Sequence, residues 1–170
     1  FIGDKSDILI KKIEGNIDNI KLSDGDIKLN FDNGVEVSSN FNANLNLDEE
    51  FFISNSKIIN KFSINNQIKS LDGSFKNNLY INFDNTYKVK DYNYTFSGKI
   101  KKSKFELSEI FNNTMIGEIS KIYLSDFQLD SVFSPKENKM KGSGKYSFNG
   151  TKFFKIDLEN NFEKDLLNLK

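Results

Sequence analysis

Residues 35–48 alternate without interruption. Val35, Val37, Ser39, Phe41, Ala43, Leu45 and Leu47 are apolar or small, and Glu36, Ser38, Asn40, Asn42, Asn44, Asn46 and Asp48 between them are polar. A period of two places successive side chains on opposite sides of an extended chain, so this stretch reads as a strand with one greasy and one wetted face. At about 3.3 Å per residue, residues 35–47 span about 43 Å. Ordinary strands hold roughly five or six residues. What covers the greasy side of so long a strand is the functional question.

The same pattern recurs along the chain. Ile20 and Leu22 precede Asp24-Gly25, and Ile27, Leu29 and Phe31 follow it. Asp-Gly suits a two-residue hairpin turn, which would set Leu22 opposite Ile27 and Ile20 opposite Leu29. At Asp32-Asn33-Gly34 a three-residue turn with Gly34 left-handed pairs Phe31 with Val35 and Leu29 with Val37, whereas a two-residue turn would mix the faces. Leu79, Ile81 and Phe83 alternate with polar residues, as do Tyr92, Tyr94, Phe96 and Ile100. The second row is out of phase with Tyr87 and Val89, which places a bulge near Lys90-Asp91. Met140, Gly142, Gly144, Tyr146 and Phe148 form another row against Lys139, Lys141 and Lys145, and Ile156 and Leu158 continue it after Asn149-Gly150. With a single proline, Pro135, the expected fold is all-β with minor helix: long antiparallel amphipathic strands in a curved, groove-like sheet. Residues 104–116 alternate poorly and are candidates for a short helix or a loop, and Phe162, Asp165/Leu166 and Leu169 at helical spacing make 162–170 a candidate for a short helix.

Composition removes several kinds of chemistry. The chain has no Cys, His or Trp, so disulfides, thiolate and imidazole metal sites, and Ser-His-Asp or Cys-His catalysis are excluded. Its 24 basic residues are all Lys and equal its 24 acidic ones. Specific nucleic-acid binders carry a basic excess and Arg forks, so no nucleic acid is expected as a partner. Asp24 and Asp26 fall short of the six to eight oxygens of a Ca²⁺ loop and read as turn residues. Glu49-Glu50 is the other acidic pair, and nothing in the sequence makes it an acid/base pair. Gly142 to Gly150 lacks the phosphate-loop signature and alternates like a strand. No catalytic residue, metal site or cofactor is expected. Lys139, Lys141 and Lys145 read as a solvated face, with anionic lipid headgroups as the other reading.

Gly15-Asn-Ile-Asp-Asn-Ile-Lys-Leu-Ser-Asp24 recurs as Gly117-Glu-Ile-Ser-Lys-Ile-Tyr-Leu-Ser-Asp126, with six of ten positions matching at a spacing of 102 residues. This suggests one β-rich stretch over 1–170 with repeat units near 15–116 and, incomplete, 117–170. The repeated segment and the long one-sided strands resemble the AsmA-like superfamily, the TamB- and YhdP-type repeating β-groove proteins of the bacterial envelope. The resemblance implies a non-enzymatic, periplasmic protein anchored in the inner membrane, whose hydrophobic groove carries phospholipid or another acyl-chain lipid toward the outer membrane. No stretch here has the roughly 18 apolar residues of a membrane helix. Phe1 in place of Met reads as a cut-out or processed chain, and the anchor and further repeats of the same chain that the resemblance implies are expected outside these residues.

The greasy rows thus have three destinations. The first is a lipid groove, lined by Ile20, Leu22, Ile27, Leu29 and Phe31, by Val35, Val37, Phe41, Leu45 and Leu47, by Leu79, Ile81 and Phe83, by Tyr94 and Phe96, and by Tyr146, Phe148, Ile156 and Leu158. The second is a closed β-sandwich or jelly roll used for binding or adhesion. The third is an outer-membrane barrel, against which the mid-row aromatics weigh. The groove and the sandwich differ in whether a second sheet seals the row from Phe41 to Leu47.

Overall fold

The computed structural model describes residues 2–3, 6–32, 34–56, 67–114, 117–161 and 166–169. The strands are β1 (Ile2–Gly3), β2 (Asp7–Ile17), β3 (Ile20–Asn30), β4 (Val35–Leu47), β5 (Ile68–Phe83), β6 (Val89–Asn113), β7 (Gly117–Ser134), β8 (Glu137–Ser147), β9 (Phe154–Asn161) and β10 (Leu166–Leu169). They form one antiparallel sheet in which each strand lies beside its sequence neighbours. The sheet runs from β1 to β10 and does not close on itself. Among the described residues no second sheet stands against it, so neither a two-sheet sandwich nor a closed barrel describes this arrangement.

The alternating stretch 35–47 is β4, and its pairing with β5 is unbroken from Val35–Phe83 to Leu47–Leu71. Leu29 faces Val37 and Asn30 faces Glu36, the register of the three-residue turn, and Gly34 has φ +115°. Lys90 is an extra residue between Val89, opposite Phe83, and Asp91, opposite Asn82, which is the expected bulge.

Asp24-Gly25 is not a hairpin turn. The reversal is made by Asp18 and Asn19, between the paired Ile17 and Ile20, with Asp18 at φ 48°, so β3 runs straight through 24–25. There Ser23 faces Asn42 and Asp26 faces Asn40. Two residues oppose one, a bulge with Asp24 in the left-handed region at φ 52°, which Asp tolerates better than most residues. Asp126, also at φ 52°, occupies the same kind of bulge in β7, between Ser125–Lys145 and Gln128–Ser143. The repeated sequence therefore maps onto like structure only from Ile20 and Ile122 onward. Its first part crosses a turn at Asp18-Asn19 in one copy and lies within β7 in the other.

Neither candidate helix is found among the described residues. Residues 104–113 belong to β6, whose poor alternation comes from a register irregularity in which 107–110 stand opposite the single residue Ser120. Residues 166–169 form β10, paired with Leu158 to Asn161, and 162–165 lie outside the described residues. Among the described residues the one helix is α1 (Glu49–Ser54), which starts where β4 stops. Asp48 caps it by accepting from Phe51 N–H at 2.9 Å, with Glu49 and Glu50 in its first turn, the charge sense that a helix N-terminus favours.

In a single layer, only curvature and neighbouring side chains can shield a residue. The apolar face is the shielded one: Phe127 is 3 %, Ile100 6 %, Ala43 7 % and Leu47 8 % exposed, while Asn44, Asn46, Lys99, Gln128, Asp130 and Ser143 opposite are exposed. The apolar face is therefore the inner side of a curved sheet. Bulges in β2, β3, β6 and β7 supply bend and extra twist.

Glycines on the inner face let that curvature develop. A Cβ on Gly98 would overlap the Ser74 carbonyl oxygen and stand 2.7 Å from Phe75 Cα, whereas one on Gly15 would meet nothing within 4 Å. Gly98→Ala is predicted to lower unfolding free energy by about 1–3 kcal/mol, as overpacking does. Gly15→Ala should be neutral or stabilising, by no more than about 1 kcal/mol. Urea titration of the two variants measures the difference, and equal effects would contradict the packing described.

Candidate functional site: an uncharged trough

Directly opposed residues of antiparallel strands point to the same side, so the register sorts the inner face into rows that cross the sheet. One row runs Gly15, Leu22, Ala43, Phe75, Gly98, Leu129, Gly142, Leu158, across eight strands without a gap. Beside it lie Ile20, Leu45, Gly73, Ile100 and Phe127. Beyond these come Leu47, Leu71, Ser103, Leu124, Tyr146 and Phe154. On the other flank are Phe41, Asn77, Phe96, Ser131, Met140 and Asn160. Next come Ile10, Ile27, Ser39, Leu79, Tyr94, Phe133 and Asn138, then Leu29, Val37, Ile81 and Tyr92. None of these residues is charged. At about 4.8 Å between strands, the eight-strand row is about 34 Å long.

The lining residues expected on β3, β4, β5, β6, β8 and β9 all fall on this one face. Phe31 and Phe148 lie just beyond the ends of β3 and β8; Phe31 is 43 % exposed, and the Phe148 ring is 5.2 Å from that of Tyr146. The bulges explain how the face stays in phase. Leu22 and Ile27 are five residues apart, as are Leu124 and Leu129, an odd spacing that would put the members of each pair on opposite sides of a regular strand. The inserted residue at Asp24 or Asp126 restores the phase.

Sequence reading missed the floor. Phe127 and Phe75 are central to it: the Phe127 ring lies over Gly142, and the Phe75 ring lies against Gly73 and Gly98. Glycine lets a ring lie flat along the strand instead of standing up from it, so the trough is deepest where its residues are smallest. Phe75, Phe96, Tyr94 and Phe133 continue as an aromatic band, with ring centroids 6.0–6.3 Å apart. In the sequence, Phe75 was hidden by Gly73 and Asn77, which break its row, and Phe127 by the phase change at Asp126.

One polar pair interrupts the aromatic band. Asn77, 7 % exposed, accepts from the Tyr94 hydroxyl at 2.8 Å and donates to the Phe75 carbonyl at 3.3 Å. Burial raises the Tyr94 pKa.

The ion pairs among the described residues lie on the outer face and at the sheet ends. Asp126 holds Lys99 at 2.8 Å and Lys145 at 3.5 Å, joining β6, β7 and β8, while Asp24 accepts from Asn42 on β4 at 2.9 Å. Lys141 pairs with Glu159 at 3.1 Å and Lys139 with Glu137 at 2.8 Å, so the lysine row of β8 is neutralised by neighbours and offers no cationic patch. Lys69 links α1 to the sheet through Glu49 at 3.1 Å and Glu106 at 3.5 Å. A surface hollow of about 400 Å³ on β2–β6 opens among Lys28, Ser38, Asn40, Asn78, Tyr80 and Thr95. It is a gap between mainly polar side chains standing off a pleat, with Leu9 and Leu79 as its apolar members. Among the described residues no group of three or more acidic side chains is placed to hold a metal ion, and no helix is long and apolar enough to cross a membrane.

Comparison with family models, with curated proteins and with solved structures gives no match.

The outer-face ion pairs set a pH dependence. Hydrogen bonding and charge from Lys99, then from Lys145, hold Asp126 below its ordinary 3.8. Glu106 is also lowered: partial desolvation opposes the shift, and Lys104 and Lys69 outweigh it. A carboxylate with a depressed folded pKa stabilises the fold above its unfolded pKa and loses that contribution as pH falls through the folded value. The melting temperature should therefore be level near neutrality and fall as pH drops below about 4. Asp126→Asn should flatten that fall in a series of thermal melts; an unchanged acid limb would contradict the role given to Asp126.

Proposed function

We propose that this chain is a non-catalytic segment of a cell-envelope protein whose inner trough binds acyl chains and conducts lipid between membranes. The observation that carries the reading is an uncharged apolar face, continuous over eight strands, that no second layer covers among the described residues. A surface of this kind favours a partner made of hydrocarbon: each methylene taken from water contributes about 0.8 kcal/mol, and no polar group has to be matched along most of the trough. Phospholipid, or another acyl-chain lipid, fits that requirement. The envelope setting, the periplasmic location, the anchor in the inner membrane and the continuation into further repeats rest on the resemblance of the Gly15–Asp24 and Gly117–Asp126 segments. In that setting each free sheet edge would be extended by another unit of the same chain.

Leu45→Glu tests the reading. Leu45 is half-buried beside Gly73, with no layer above it among the described residues, so in an open trough the new carboxylate reaches water. The variant should keep the circular dichroism and melting temperature of the parent while losing lipid detected by native mass spectrometry. A sealed core would instead bury an unpaired charge and unfold. Unfolding of the variant, together with a lipid-free parent protein, would overturn the proposal.

A further inference from the structure

We propose that Asn77 and Tyr94 are the specificity-determining residues of the trough, and that Asn77 seats the neutral ester carbonyl of an acyl lipid. The inference rests on the groove reading and adds to it a position and a ligand chemistry. Asn77 occupies a place where the alternation of β5 calls for an apolar side chain: Leu79, Ile81 and Phe83 follow on the same face, and Phe41 and Phe96 stand directly opposite on the two neighbouring strands. Its amide is held in one orientation. The Tyr94 hydroxyl donates to Oδ1, and Nδ2 faces the Phe75 carbonyl; the flipped amide would set two oxygens against each other. An amide nitrogen carries two hydrogens. Only one is used, in the bond to Phe75, so a preset N–H donor remains in a side chain that is 7 % exposed.

Stability alone does not account for this arrangement, because a buried polar group that leaves hydrogen-bonding capacity unused is no better than an apolar residue of the same size. The donor needs an acceptor, and hydrocarbon has none. An ionised phosphate or carboxylate is a poor occupant, since no cation lies in the surrounding rows and a buried unpaired charge is costly. A neutral carbonyl oxygen satisfies the donor without that cost. The row beside Asn77 holds Ala43, Phe75, Gly98 and Gly142, so a lipid whose ester sits at Asn77 can lay its chain over the rings that lie flat on these glycines. Its charged headgroup would then rise from the open face into water, away from the uncharged rows.

The experiment compares a diacyl phosphatidylcholine with the diether analogue of identical chains and headgroup, each offered to delipidated protein, with occupancy read by native mass spectrometry. The parent protein should take the diester about fivefold in preference, the ratio that one neutral hydrogen bond supplies. Asn77→Leu should bind both lipids alike, at the level of the parent with the diether. Tyr94→Phe keeps the ring, frees the amide to turn, and should lower the ratio; it carries the test if Asn77→Leu does not fold. Equal uptake of the two lipids by the parent would overturn the assignment while leaving the groove intact. Uptake of neither would overturn the groove reading and this inference together.

Discussion

The left-handed turns of backbone at Asp24 and Asp126 hold the inner face together. A strand that crosses the sheet with one residue too many would turn every following side chain to the wrong side. In β3 and β7 the extra residue is absorbed locally, at a φ that aspartate accepts, and its carboxylate is tied on the outer face, to Asn42 in one strand and to Lys99 and Lys145 in the other. Leu22, Ile27, Leu124 and Leu129 all stay on the inner side as a result. The same insertions bend the strands and so help make the inner side concave. Phase and curvature thus share one cause.

What the curvature encloses is set by side-chain size. Gly98, Gly142 and Ala43 alternate with Leu or Phe along the central row, and Phe75 and Phe127 lie flat over glycines. The trough therefore has a low floor without any covering layer. Such a surface is exposed apolar area on a scale that a chain ordinarily buries or uses for recognition. Charge is displaced to the other face, where each lysine of β8 has a carboxylate within reach. This separation of apolar from ionic groups, with Asn77 and Tyr94 as the polar exception in the aromatic band, underlies the functional reading.

The greater part of the fold was legible from alternation alone. β4 was read residue by residue, the turn at 32–34 came from the need to keep Phe31 and Val35 on one side, and the bulge at Lys90 came from a phase slip. Failures occurred where local chemistry has two outcomes. Asp-Gly serves a hairpin turn and a bulge equally well, and only the placement of the reversal at Asp18-Asn19 decides between them. Phe75 and Phe127 were overlooked because Asn77, Gly73 and Asp126 interrupt their rows, and those interruptions are the features that shape the trough. The helix cap at Asp48, followed by Glu49 and Glu50, was a readable signal that the long alternating run before it overshadowed.

Because the chain contains no cysteine, one introduced thiol reports on one position. Leu45→Cys places it on the inner face, and Asn44→Cys places the control on the outer. The rate of alkylation by a water-soluble maleimide, with and without phosphatidylcholine, asks directly whether the trough is open and whether lipid fills it. Position 45 should react in lipid-free protein and be protected when lipid is added, while position 44 reacts equally in both. Protection of position 45 without lipid would mean a sealed core, and reaction unchanged by lipid would mean that acyl chains do not enter. Either result would contradict the account.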